Sequence, residues 1–167
     1  MTGAKIDAGV LMTLFEAARW APSSSNLQPW RFVYGLRETP AFDHLFATLG
    51  RGNQSWCGKA SALILVISKL EQDGKPIKTH AFDTGSAWMS LALQGSLLNL
   101  VVHGMAGFDY DKAREAVALP DGYRVEAMIA VGHPAPADQL PESQRDREKP
   151  SGRKSVSEFA FEGIFVE

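Results

Sequence analysis

The sequence predicts one globular domain that mixes helices with strands. Three stretches carry that expectation: Val10 to Trp20 repeats apolar residues at helical spacing, Ala62 to Ile67 is unbroken and β-branched, and Val125 to Val131 alternates. At 167 residues and 18.2 kDa, such a chain can remove roughly two-thirds of its unfolded surface from water. Hydrophobic residues at 45% and charged residues at 22% match ordinary soluble usage, which excludes a disordered, collagenous or membrane-embedded chain.

Val10, Leu11, Leu14, Phe15 and Ala18 form one helical stripe, with Asp7 placed to cap it, and the helix must end before Pro22. From Gln28 to Gly35 the aromatic residues Trp30, Phe32 and Tyr34 share one face against Arg31 and Val33, which predicts a strand. Thr39 and Pro40 are cap and first-turn residues of a second helix that buries Phe42, Leu45, Phe46 and Leu49 and stops at Gly50. The run Ala62 to Ile67 reads as a strand in mid-sheet, covered on both faces, and Glu71 to Pro76 as a polar turn.

Ala81 to Val102 is apolar nearly all round and predicts one long buried helix. Asp83, Ser86, Ser90, Gln94, Ser96 and Asn99 interrupt it, and so many polar groups would be costly in hydrocarbon, so no membrane span is expected. Asp109 caps a short helix to Leu119, Pro120 to Gly122 turns, and Val125, Ala127, Ile129 and Val131 alternate along a final strand. Beyond Gly132, Pro134, Pro136, Pro141 and Pro150 frame the mixed-charge stretch Glu142 to Lys149. The chain closes on Phe159, Phe161, Ile164 and Phe165, and leaving such side chains in water forfeits roughly 1.5 to 3 kcal/mol apiece. Residues 133–167 therefore read as an arm that docks on its own domain or on a second subunit.

Charge and motif spacing exclude several functions. Seventeen Lys plus Arg against nineteen Asp plus Glu leave a net charge of −2, so no basic field exists to hold a nucleic-acid backbone. The lone Cys57 supports neither an intrachain disulfide nor a thiolate zinc site, and Met1 to Asp7 lacks the pattern of a secretory signal, so a reducing cytoplasm is expected. Gly50-Arg51-Gly52 has Ser55 where a dinucleotide fingerprint needs its third glycine, and it follows a helix instead of a strand. Gly52 to Lys59 is one residue too long for a phosphate loop and continues into Ala60. Asp83-Thr84-Gly85-Ser86 lacks the preceding strand of an aspartic-protease turn and reads as a polar helix start. His44, His80, His103 and His133 have no paired spacing, so no metal site is expected. No Gly-x-Ser-x-Gly elbow is present, and no His stands near Cys57 in sequence to activate it.

One dense polar cluster remains, Ala21-Pro22-Ser23-Ser24-Ser25-Asn26-Leu27-Gln28-Pro29-Trp30, pinned between two prolines. It has two readings: a serine-rich loop satisfied by local hydrogen bonds, or a set of neutral donors and acceptors presented to a flat heteroaromatic ligand.

The stretch from Leu14 through that cluster to Phe32 resembles the signature segment of the nitroreductase-like flavoprotein family. Four further segments agree in order: Gly52-Asn53-Gln54-Ser55-Trp56, Asp83-Thr84-Gly85-Ser86-Ala87-Trp88, Met105-Ala106-Gly107-Phe108-Asp109 and Pro150-Ser151-Gly152-Arg153-Lys154. The resemblance implies an α+β sandwich, a mostly antiparallel sheet between helices, assembled as an intertwined homodimer with flavin mononucleotide (FMN) at the subunit interface. It further implies that Pro22, Ser23, Ser24 and Asn26 line the flavin, with Gln28 supporting their loop. Asn53 would bond the pyrimidine edge, the Ala106 to Gly107 backbone would approach N5, and Arg153 with Lys154 would pair with the phosphate. Gly107 has its own physical reason, since the absence of a side chain admits a close backbone approach.

The implied activity is hydride transfer from NAD(P)H to a nitroaromatic, quinone or similar flat acceptor, with the flavin and no catalytic side chain carrying the chemistry. The alternative is a non-catalytic flavin-binding or degenerate member. It gains weight from one departure: members usually carry an Arg-rich phosphate-gripping segment before the first helix, whereas Met1 to Ala8 here holds Lys5 as its sole cation.

Overall fold

Asp7 accepts a 2.7 Å hydrogen bond from the Gly9 N–H and thereby caps α1, Ala8–Arg19, whose Leu11, Leu14 and Ala18 are fully buried. The computed structural model describes residues 1–140, 142–145 and 148–165, so Pro141 and part of the mixed-charge stretch lie outside the described residues. Trp30–Leu36 forms β1, and its Phe32 and Tyr34 rings each lie 5.4 Å from the Phe15 ring of α1. Thr39 caps α2, Pro40–Ala47, by accepting from the Phe42 N–H at 3.3 Å, with Pro40 opening the first turn.

Gly50 does not end α2, which stops at Ala47. It is the N-cap of a separate helix, α3, Arg51–Cys57, which the sequence reading lacks because Gly52, Asn53 and Ser55 are weak helix formers. β2, Ala62–Lys69, follows, and the turn at Glu71 to Pro76 is a small hairpin of β3, Glu71–Gln72, and β4, Lys75–Pro76. Its corner is Asp73-Gly74, both with positive φ, the usual chemistry of a tight hairpin.

The expected helix from Ala81 to Val102 is corrected to α4, His80–Leu97, followed by a strand, β5, Val101–Met105. Asn99 takes left-handed backbone at φ 55°, which breaks the helix, and Val101 and Val102 then pair with Gly132 and Val131. Asp109 caps α5, Tyr110–Ala116, by accepting from the Lys112 N–H at 3.0 Å, and this helix ends three residues short of Leu119. The last strand, β6, is Tyr123–Gly132.

The main sheet runs β1-β2-β6-β5 with every pairing antiparallel, which puts β2 in the interior as its unbroken apolar run requires. Leu63, Leu65 and Ile67 of β2 enter one core with α2, α5 and Cys57 of α3. Ala62, Ile64 and Val66 enter the other with α1 and α4. The result is a three-layer α+β sandwich, helices on both faces of an antiparallel sheet. The alternation expected from Val125 to Val131 holds for Ala127, Ile129 and Val131 but reverses at Val125. The ladder pairs Val66 with Ala127 and Ile67 with Val125, so Glu126 is an extra bulged residue and Val125 turns to the α2/α5 core.

Met1–Ala135 form one compact unit and Pro136–Glu167 a second. Among its described residues the second holds two 3-10 turns and a short helix, Glu142–Arg145, and leaves Phe159, Phe161, Ile164 and Phe165 exposed. In the first unit α4 carries its own exposed apolar stripe, Phe82, Met89, Leu93 and Leu97, at helical spacing. Among the described residues, no helix is long and apolar enough to cross a membrane.

Candidate functional site

The start of α3 and the loop joining β5 to α5 build a pocket lined by Gly50, Gly52, Asn53 and the Ala106–Asp109 segment. The Gly107 carbonyl accepts two bonds, from the Gly50 N–H and from Asn53 Nδ2, each at 3.0 Å, and so ties loop to helix. A Cβ on Gly107 would stand 2.9 Å from Asn53 Nδ2, and one on Gly50 would stand 3.0 Å from the Gly107 oxygen. A side chain at Gly107 would push the Asn53 amide off the loop carbonyl, and one at Gly50 would press on that carbonyl directly. The pocket's polar groups are chiefly a side-chain amide and peptide units. Its carboxylate, Asp109, is held below the usual carboxylate range, chiefly by the Lys112 N–H it caps, and so makes a poor proton donor. A glycine-rich floor edged by neutral donors and acceptors suits a flat heteroaromatic ring.

The polar loop after α1 is a second group, held by different elements. Asp83, in the first turn of α4 and only 3% exposed, accepts from the Ser24 N–H at 3.1 Å and from Thr79 Oγ1 at 2.8 Å. Ser23 Oγ accepts from the Gln28 N–H at 3.1 Å, and Gln28 Nε2 donates to the Asn26 carbonyl and to Asn26 Oδ1 at 3.2 and 3.0 Å. Ser25, Asn26 and Gln28 sit at φ 50°, 54° and 47°, three strained residues in a four-residue span, with Pro22, Ser24 and Asn26 exposed.

The structure thus gathers Asn53, Ala106 and Gly107 into one group and Pro22, Ser23, Ser24, Asn26 and Gln28 into another. Arg153 and Lys154 belong to the second unit, where Arg153 Nη1 donates to Ser151 Oγ at 2.6 Å and both side chains are exposed. Two residues without an assigned role emerge: Asp83, read only as a polar helix start, and Trp56, whose Nε1 donates to Asn53 Oδ1 at 3.2 Å. The Asp83 contact spans 59 positions and has no local sequence signal.

A serine, a histidine and a carboxylate also converge, though not as a nucleophile. Ser68 Oγ donates to Glu126 Oε1 at 2.6 Å and lies 2.8 Å from His80 Nδ1, but Ser68 is fully buried and its proton goes to the carboxylate. Cys57 is equally unsuited, because burial pushes its thiol up to about 12. Among the described residues, no cluster of His, Cys, Asp or Glu could hold a metal ion.

An antiparallel sheet between two helical layers, with a glycine-floored pocket that has no acid–base pair, defines a ligand-holding fold whose chemistry would come from what it binds. The Nitroreductase family model matches residues 2–39. An uncharacterized 15.4 kDa protein in the ask 5′ region of Mycolicibacterium smegmatis is 34% identical over 142 residues, 80% of this chain and 95% of that protein. The NADH dehydrogenase of Thermus thermophilus is 28% identical, covering 81% of this chain and 83% of its own. A crystal structure described as an oxidoreductase containing FMN superimposes with TM-score 0.96 at 41% identity, over 99% of this chain and 86% of the other. The chain belongs to the nitroreductase family.

Proposed function

We propose that this protein is an FMN-dependent oxidoreductase that passes hydride from NAD(P)H to a nitroaromatic, quinone or similar flat acceptor, working as a cytoplasmic homodimer. The observation that carries the reading is the pocket where Gly50 and Gly107 leave room for a ring and the Asn53 amide lies at its edge. FMN, when bound, supplies the two-electron redox chemistry. The chain's own residues hold and orient it: Asn53 and the Ala106 to Gly107 backbone at one group, Pro22, Ser23, Ser24 and Asn26 at the other, with Gln28 bracing that loop. Arg153, with Lys154, meets the phosphate, where a guanidinium makes charge-assisted bonds.

The homodimer is supported by two apolar surfaces that a lone chain leaves wet. Phe82 and Leu97 of α4 are 79% and 78% exposed, and Phe165 of the arm is 78% exposed. Residues 133–167 would dock as an arm on the partner subunit, covering such a surface. One observation favours the second reading, a non-catalytic flavin-binding member. Lys5, the cation before α1, pairs on the surface with Glu38 at 2.6 Å, so its charge is partly met before any phosphate arrives.

The test is FMN titration of the purified protein, followed by anaerobic addition of NADH or NADPH. Uptake of one flavin per chain with bleaching by the nicotinamide is expected, and Arg153→Ala should weaken uptake about tenfold, the loss of one charged hydrogen bond. Uptake without bleaching supports the non-catalytic reading. Equilibrium dialysis with no FMN retained by folded protein overturns both.

A further inference from the structure

We infer that Trp56 is a positioning residue that fixes which way the Asn53 amide faces the pocket, an inference that rests on the proposed FMN site. An indole N–H only donates and a peptide carbonyl only accepts. Trp56 Nε1 lies 3.2 Å from one end of the amide, which must therefore be the oxygen, and the Gly107 carbonyl lies 3.0 Å from the other, which must be the nitrogen. Each contact chooses an orientation and both choose the same one. A flipped amide would set donor against donor and acceptor against acceptor, so the polarity of the pocket edge is locked. One Nδ2 proton and one Oδ1 lone-pair direction are then left for a ligand in the pocket that Asn53 lines.

Trp56 is itself immobilised. Its ring is half-buried against the α2/α5 core, and the His103 ring meets it edge-on with centroids 4.8 Å apart at 68°. Trp56 need not touch the cofactor to act on it. A donor–acceptor pair held in one orientation is ready for the flavin's pyrimidine edge, whereas a free amide would have to be ordered on binding.

The experiment has a flavin-free arm and a flavin arm. In nitrogen-15-labelled protein the Trp56 indole resonance, assigned through its contact with His103, should shift and exchange faster in Asn53→Ala. In FMN titrations Trp56→Phe should weaken binding about fivefold, the loss of one hydrogen bond, and should move the midpoint potential of the bound flavin. In the Asn53→Ala background the same substitution should change neither. Equal losses in both backgrounds, or an indole indifferent to Asn53→Ala, overturn the inference; the indole arm reads it even where Trp56→Phe does not fold. Wild-type protein that binds no FMN while its Trp56 indole still responds to Asn53→Ala overturns the proposed function and leaves the lock standing.

Discussion

Replacing Asp83 by alanine removes the acceptor that holds the strained loop to α4. Its carboxylate takes the Ser24 N–H at 3.1 Å and the Thr79 hydroxyl at 2.8 Å while only 3% exposed. Hydrogen bonds to a carboxylate contribute about 1.5 to 3 kcal/mol each, so the pair is worth about 3 to 6 kcal/mol before the freed partners are rehydrated. The loop works against that. Three non-glycine residues in left-handed backbone, Ser25, Asn26 and Gln28, cost about 1 kcal/mol each. Ser24 is exposed and can recover a water, so the expected net loss is about 3 kcal/mol, or a melting temperature lower by about 6 to 12 °C in a chain of this size. Asp83→Asn keeps one acceptor oxygen and should lose about half as much. Urea unfolding followed by tryptophan fluorescence gives the stability, and amide hydrogen exchange at Ser24 reports the loop. An Asp83→Ala protein with the wild-type midpoint and unchanged protection at Ser24 would refute the reasoning.

Gly35→Ala should destabilise by about 3 kcal/mol, because its Cβ would overlap the backbone of Ala41 and Phe42, standing 2.5 Å from Phe42 Cα, and backbone cannot yield as a side chain can. Gly52→Ala is the control: nothing lies within 4 Å of its Cβ, and alanine inside α3 should gain about 0.5 to 1 kcal/mol, so the two urea midpoints should move in opposite directions. Burial raises the Cys57 thiol from 9.0 to about 12, so above pH 9 the unfolded chain releases a proton that the native chain keeps. Stability conferred by that thiol is complete below pH 9 and drains away as pH climbs toward 12. Urea midpoints between pH 7 and 11 should therefore fall more steeply for wild type than for Cys57→Ala, and a thiol reagent should label Cys57 only on unfolding.

Features written in short-range chemistry were legible in the sequence. Asp7, Thr39 and Asp109 all cap where their spacing to the next helix says they should, and the apolar run of β2 announces an interior strand. What failed depended on competition between local preference and distant partners. α3 is assembled from weak helix formers held by the Gly107 loop, and Val101 and Val102 read as helical because the start of a strand beside β6 can be as apolar as the helix before it. The site divides the same way. Its loop, Asn53 and the Ala106-Gly107 pair stand in recognisable segments, whereas the bond from the Ser24 N–H to Asp83 spans 59 positions and exists only once α4 has packed, and the one from Trp56 to Asn53 needs α3, the helix without a sequence signal, to form.

Glu126 is one residue more than its neighbour strand can match, and that surplus has a topological effect. Were Glu126 to pair with Ile67 instead of bulging out, β6 would regain an unbroken two-residue rhythm and Val125 would swing from one helical layer to the other. The spare position is also what lets an acid face Ser68 and His80 at the root of α4 while the strand from Ala127 to Val131 stays greasy on both sides. The kink thus acts as a phase shifter, fastening the beginning of the longest helix to one register of the sheet and no other.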